Sequence, residues 1–299
     1  QGLAQNPPFV STRSYISSTT IPQIVVDSPF SGAQAAAVPA YNYLAPNDYR
    51  DGYMQQWSLG MGKELVPNLV IDLAYVGSKG TKLDNGRNMN QAVPGTGSIA
   101  SRRPYPTIGN ITHFMGAGNS NYHSFQFKTE KRLSGGLTFL SSYTWSKSID
   151  YSSRWGSSGL NAYNLRLERG LSDFDVGHRW SFSHTYELPF GSGRRYLNSA
   201  GAIEQAIFGG WQISGILALQ TGNPLTPVLA TDRANIGTNN QRPDLIGDPN
   251  LHGKGTPGQW FNTAAFALPA AGTYGNAGRN IIQGPPIKNV DLALLKRFV

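Results

Sequence analysis

Arg179-Trp180-Ser181-Phe182-Ser183-His184-Thr185-Tyr186-Glu187-Leu188 alternates without a break. Trp180, Phe182, His184, Tyr186 and Leu188 share one face, and Arg179, Ser181, Ser183, Thr185 and Glu187 share the other. Successive side chains of a strand point to opposite sides, so this stretch reads as a strand with one apolar and one polar face. The same pattern returns along the chain. Trp57, Leu59 and Met61 oppose Gln56, Ser58, Gly60 and Gly62, while Leu69, Ile71, Leu73 and Tyr75 oppose Asp72 and Ala74. Phe125 and Phe127 alternate with Ser124, Gln126, Lys128 and Glu130, and Leu137, Phe139, Tyr143 and Trp145 with Thr138, Ser142, Thr144 and Ser146. Further strands run from Trp211 to Thr221 and from about Lys288 to Phe298, which makes seven, and residues 8–30 hold another candidate.

The connections choose between all-β architectures. Val66-Pro67-Asn68 and Ser134-Gly135-Gly136 are short enough for hairpin turns. They alternate with long links at roughly 79–120, 148–177 and 223–285. Structureless loops longer than about 15 residues are uncommon in compact domains. Membrane-spanning β-barrels instead pair tight periplasmic turns with long extracellular loops. The link at 190–210 falls on the short-turn side but contains Ala202–Phe208, a candidate short helix. Aromatic residues cluster in two bands. Tyr53, Trp57, Tyr75, Tyr143, Trp145 and Trp180 lie toward the long loops, and Tyr186, Phe190 and Trp211 toward the opposite ends. Two membrane–water interfaces favour such bands, because these rings join an apolar body to a polar edge.

Composition agrees. Only 14% of the 299 residues are charged, while Gly (35), Tyr (14) and Phe (13) are plentiful, against a usual charged share of about a quarter. No segment approaches the roughly 20 apolar residues of a membrane helix, but barrel strands need only about 10 alternating ones. With no cysteine, disulfides, thiolate chemistry and Cys-based zinc sites are excluded. The net charge of +8 is spread over single residues and pairs such as Arg102-Arg103 and Lys131-Arg132. No basic helix or aromatic-basic motif gathers it, so nucleic acid is not an expected partner. The expected fold is therefore an all-β, antiparallel transmembrane barrel segment of about seven or eight strands with long extracellular loops. Residues 1–52 read as a loop-rich segment with room for one strand, and residues 53–299 as the partial barrel. The opening Gln1-Gly2-Leu3-Ala4 lacks a signal segment, so a fragment of a longer chain is expected.

Several stretches also resemble the C-terminal barrel region of TonB-dependent outer-membrane receptors, in the Oar-like branch with a carboxypeptidase-regulatory-like domain. They include Ala74–Gly80, Asn119–Ser124, Ser142–Ser148, Glu168–Asp175 with His178-Arg179, Tyr186–Gly191, Trp260–Phe266 and Gly275–Asn280. The resemblance covers about residues 50–299. It implies a larger barrel with an N-terminal plug, energised through TonB, that binds a ligand at the cell surface and imports it to the periplasm. Neither plug nor TonB-contacting segment is recognisable in this sequence. Expected partners are outer-membrane lipid, lipopolysaccharide, the TonB complex through the plug region and an unidentified ligand. The expected location is the bacterial outer membrane.

Candidate sites follow. Glu168, Arg169, Asp173, Asp175, His178 and Arg179 read as a structural cluster where a long loop enters a strand, ordered by charge-assisted hydrogen bonds. Asp173 and Asp175 could instead ligate a divalent cation, and His178 could act as a base. Arg102, Arg103, Tyr105, Arg154 and Trp155 combine charge with stacking surface and are candidate ligand contacts. No Gly-x-Ser-x-Gly, phosphate-loop or His-Glu-x-x-His motif is present, so neither a catalytic centre nor a cofactor is expected. Two further hypotheses stand beside the receptor. One is a secreted all-β adhesin or polysaccharide binder. The other is a hydrolase using Asp173, Asp175 and His178.

Overall fold

The computed structural model describes residues 6, 40–44, 47–154, 159–238, 240–251 and 255–298. In chain order the strands are β1 (Tyr41–Leu44), β2 (Tyr53–Val66), β3 (Leu69–Asn88), β4 (Ile111–Ser134), β5 (Leu137–Asp150), β6 (Gly170–Leu171), β7 (His178–Glu187), β8 (Trp211–Gln220), β9 (Pro224–Leu225), β10 (Asp244–Leu245), β11 (Phe266–Ala267), β12 (Ile282–Gln283) and β13 (Ile287–Lys296). Among the described residues one α-helix, α1 (Ala202–Phe208), lies between β7 and β8, where the sequence placed it. All seven expected strands are present. They form an open antiparallel sheet in the order β13-β8-β7-β5-β4-β3-β2, with β1 added to β4 and β6 to β5. The strand read in residues 8–30 lies outside the described residues.

Turn chemistry fixes the register. Pro67 and Asn68 join Val66 to Leu69, and Asn68 takes φ 69°. Proline followed by a residue at positive φ is the pattern of a type II turn. Gly135 and Gly136, at φ 60° and 81°, join Ser134 to Leu137. Two positive φ values make a hairpin turn whose twist matches its strands.

That register sorts the side chains completely. One row reads Leu59–Tyr75–Phe125–Trp145–His178, and the next Met61–Leu73–Phe127–Tyr143–Trp180–Leu219–Lys288. Below them come Lys63–Ile71–Thr129–Ser141–Phe182–Leu217–Val290, then Leu69–Lys131–Phe139–His184–Gly215–Leu292. The opposite face carries Gln56, Ser58, Asp72, Ser124, Gln126, Lys128, Ser142, Thr144, Ser181, Ser183, Gln212 and Ser214, with scattered Val76, Leu140 and Ile216. On that face Lys128 pairs with Glu130 at 3.1 Å and Asp72 at 3.8 Å. The apolar face is bare: Leu59 is 77% exposed, Met61 70% and Leu292 73%. No second sheet covers it among the described residues, so the β-sandwich expected of a secreted adhesin is not formed. A single sheet with this much uncovered apolar surface needs lipid on that side.

The sheet holds almost no core. Among the described residues, the buried apolar side chains are Ala92, Ile111, Ala162, Ala234, Ile236, Ala265, Ala277 and Ile282, nearly all in the long links. The links therefore form a packed cap of their own. They also differ from the sequence expectation. β3 and β4 run to 20 and 24 residues, so the first link shrinks from 79–120 to 89–110. At about 3.3 Å per residue these strands reach well past a bilayer that about 10 residues suffice to cross. β7, β8 and β13, at 10 residues each, match the membrane. The last link contains two short antiparallel pairings, β10 with β11 and β9 with β12.

The aromatic band has a structural counterpart. A side chain at Gly77 would occupy the space of the Trp57 indole, which lies across the glycine. Aromatic cover of a strand glycine pins the register. Gly77→Val is expected to push Trp57 off the sheet and lower stability by about 1–3 kcal/mol, the usual range for overpacking. Urea unfolding in bilayers checks this; an unchanged midpoint would mean that Trp57 packing is dispensable.

Candidate functional site: the loop cap and its cleft

The cap is held by arginines and amides reaching between links. Arg279 is the hub. Its Nε donates to Glu168 O (2.9 Å), its Nη1 to Asp173 Oδ1 (3.3 Å), and its Nη2 to Asp150 O (2.9 Å) and to the Asp150 carboxylate. Arg242 Nη2 donates to Glu168 Oε1 at 2.7 Å and Nη1 to Leu167 O at 2.9 Å, both side chains being buried. Burial pushes the Arg242 guanidinium down from its usual pKa, and the Glu168 charge works against that. Asn280 donates to Leu171 O (2.7 Å) and Asp173 Oδ1 (2.8 Å). Gln91 ties the first link to the second, donating to Leu160 O at 2.8 Å and accepting from Ala162 N at 2.7 Å. Asn90 is fully buried, donating to the carbonyls of Tyr105, Ile108 and Gly109 and accepting from Tyr105 N. Buried polar groups are tolerated only when paired in this way.

The cap lies over the polar face. Ser148 and Asp150, at the long-loop end of that face on β5, are 7% and 4% exposed. Ser148 Oγ meets Ser172 Oγ at 2.8 Å, and Ser148 N donates to Asp175 Oδ1 at 2.5 Å. Between sheet and links a cleft of about 580 Å³ opens, lined by Asn88, Gln91, Asn110 and Thr112 on one side and Arg154, Thr226 and Asn240 on another.

The sequence candidates divide. Arg102 is structural: its guanidinium donates to Val93 O and Asn235 O, joining the first and third links. Arg103 donates to Ile108 O at 3.1 Å and Asn110 Oδ1 at 3.3 Å, within its own link. Tyr105 lends its backbone to Asn90 and leaves its ring exposed. Of the described members of this set, Arg154 alone lines the cleft, with its Nε 3.6 Å from Asp173 Oδ2. Trp155 lies outside the described residues. In the loop-base cluster, Arg242 pairs with Glu168 and Arg279 with Asp173, while Asp175 accepts from Ser148 N. Arg169 and Arg179 stay exposed. His178 faces the apolar side, its Nδ1 2.8 Å from the Tyr143 hydroxyl and its ring stacked on Tyr143. His178 is thus engaged by Tyr143 and Asp175 by Ser148 N, and no hydrogen bond joins the two among the described residues. No group of three His, Asp or Glu suited to a metal occurs among the described residues.

Trp57, Tyr75, Tyr143, Trp145 and Trp180 do form a continuous band on the apolar face, with Tyr75 and Trp57 inside their strands rather than at the ends. Tyr53 stands above it, opposite Thr81, where the same face has already turned polar. Tyr186 and Trp211 mark the other end; Trp211 Nε1 donates to Ile207 O, and Lys296 Nζ lies 4.6 Å from the Trp211 ring centroid.

A family described as outer membrane beta barrel domain matches residues 1–299. The chain belongs to this family of outer-membrane β-barrels. Its place is the bacterial outer membrane, with the apolar rows toward lipid. Among solved structures it is similar to the outer membrane transporter YddB from Escherichia coli, 13% identical, with a TM-score of 0.42 over 69% of this chain and 25% of that one. It is also similar to the FrpB iron transporter from Neisseria meningitidis (F3-3 variant), 14% identical, with a TM-score of 0.34 over 60% and 21%. The chain thus spans about a quarter or less of these transporters. No curated protein matches it.

In this outer-membrane barrel, burial raises the Asp175 carboxyl above its usual pKa, against the lowering effects of Ser148 N and Lys147. A raised pKa in the folded state favours the protonated form. Its contribution to stability is present at low pH and is lost as pH rises through the folded pKa. Asp175→Asn keeps an acceptor for Ser148 N without the charge. It is expected to flatten the fall in cap stability as pH rises above the ordinary carboxyl range. Unfolding followed by a fluorophore in the 151–177 link reads this, and an identical pH profile in the variant would assign the dependence elsewhere.

Proposed function

We propose that this outer-membrane barrel is part of a TonB-dependent receptor of the Oar-like branch, which captures a ligand at the cell surface and passes it to the periplasm. The observation that carries this reading is the cleft between the cap and the polar face. A ligand held there already touches the wall along which it would move. The lining also points to a ligand class. Asn88, Gln91, Asn110, Thr112, Thr226 and Asn240 offer neutral donors and acceptors, while Glu168 is paired with Arg242 and Asp173 with Arg279. Such a surface suits a neutral molecule rich in hydroxyl or amide groups, such as an oligosaccharide or peptide segment. Outer-membrane lipid would surround the apolar rows, and TonB would act through a plug supplied by the N-terminal part of the receptor.

Cells producing the receptor test this with fluorescent maltodextrins and fluorescent oligopeptides. Uptake of one class is expected to stop when the proton gradient is collapsed, and to fall at least tenfold in Thr112→Trp, which fills the cleft. Uptake that ignores both the gradient and the substitution would reduce the protein to a passive pore or a structural barrel.

A further inference from the structure

The charged residues of the main sheet are not shared evenly between its faces. On the polar face of the paired strands stand Glu64, Asp72, Lys128, Glu130, Asp150, Arg179, Glu187 and Asp291. On the lipid face, from the Tyr53–Thr81–Asn119 row down to the short turns and among the described residues, every ionised side chain is a lysine: Lys63, Lys131 and Lys296 toward the short turns, and Lys79, Lys147 and Lys288 toward the long loops. Lysines at the rim of an apolar band extend their ammonium groups into the headgroup layer. That accounts for rim placement but not for the absence of carboxylates.

Three adjacent strands at the long-loop end carry a tighter group. His123 on β4 is directly opposite Lys147 on β5, and on β3 its partner Gly77 is two residues from Lys79. Opposite residues lie about 5 Å apart at Cβ and diagonal ones about 7–8 Å, so one anionic group can meet all three side chains. All three are exposed. His123 is held in place by a 2.7 Å contact between its Nδ1 and the Tyr75 hydroxyl, and it stacks on Tyr75 with ring centroids 6.1 Å apart. Lys79 and Lys147 form no ion pair among the described residues. Asp175, which senses the Lys147 charge, is buried beside β5 and accepts from Ser148 N. Immediately below lie the exposed rings of Tyr75, Phe125 and Trp145. Above, the same face turns polar with Gln55 and Asn121.

We propose that Lys79, His123 and Lys147 form a binding site for the phosphate of a phosphorylated, acylated sugar headgroup in the outer leaflet. The cations would meet the phosphate, the polar residues above would meet the sugar, and the aromatic rows would carry the acyl chains. The apolar strip directly below the cations selects a lipid over free phosphate. The site rests on the orientation that puts the long loops outside the cell, and does not depend on what the cleft carries.

The test is binding of diphosphorylated lipid A to the whole protein in detergent, followed by native mass spectrometry. Dephosphorylated lipid A and inorganic phosphate serve as the other probes. With about 1 kcal/mol per lysine near a charged surface, Lys79→Gln with Lys147→Gln is expected to weaken binding about thirtyfold. Lys63→Gln with Lys131→Gln, at the opposite rim, is expected to leave it unchanged. Lys147→Gln alone is expected to give about a fivefold loss, which keeps the test usable if the double variant fails to fold. Equal binding of dephosphorylated lipid, competition by inorganic phosphate at equal concentration, or equal losses at the two rims would each overturn the proposal.

Discussion

Leu217→Arg is expected to keep the barrel from assembling in the membrane, while Ala218→Arg, one residue further on, is expected to assemble normally. Leu217 lies in the middle of the apolar band, between Phe182 on β7 and Val290 on β13. Ala218 lies on the other face, between Ser181 and Asn289. An arginine facing lipid at the bilayer midplane costs about 2–4 kcal/mol, and a lumenal substitution has no such penalty. Abundance in the outer membrane and urea unfolding from bilayers measure the difference. Similar penalties at both positions would show that the two faces have been assigned wrongly.

Arg279→Ala is the second large effect, and it acts on the cap instead of the sheet. The substitution leaves the buried Asp150 carboxylate without its cation and frees the carbonyls of Glu168 and Asp150. Removing one partner of a buried pair costs about 3–5 kcal/mol, because the remaining charge stays desolvated. Arg279→Lys is expected to recover only part of this, since an ammonium cannot fork to several acceptors in one plane. Limited proteolysis should cut the 151–177 and 221–286 links rapidly in Arg279→Ala while circular dichroism shows the sheet intact. Links that resist the protease as well as wild type would remove Arg279 from the centre of the cap.

The strands were legible because alternation is a local signal. Each of the seven could be read from about ten residues, and Pro67-Asn68 and Gly135-Gly136 announce their turns by chemistry. The upper halves of β3 and β4 were not legible. Above Lys79 the sequence Gly80-Thr81-Lys82-Leu83 carries bulges, with register shifts at Leu83 and φ 56° at Lys82, and these erase the period of two. The loop-base cluster was read as structural; Asp175 accepts from Ser148 N there, while Glu168 and Asp173 form ion pairs. Their partners were missed because pairing there is set by tertiary approach. Arg169 and Arg179 are neighbours in sequence, yet Arg242 and Arg279 arrive from another link. The motif Gly275–Asn280 contained the hub, but nothing local distinguishes Arg279 from any loop arginine. The cleft was invisible for the same reason, since its walls come from links separated by many strands.

The interlocking of distant links has a consequence for the order in which the protein folds. The β2–β3 and β4–β5 hairpins close over a few residues, whereas Arg279 reaches back 129 positions to Asp150 and Tyr274 reaches back 183 to Gln91. Closing so long a loop costs entropy that its contacts repay only after the intervening chain is ordered. The hairpins are therefore expected to zip early and the cap to dock late, after β7, β8 and β13 have brought the last link alongside β5. A cap assembled in that order would cover the long-loop end of the sheet only once the wall beneath it is built.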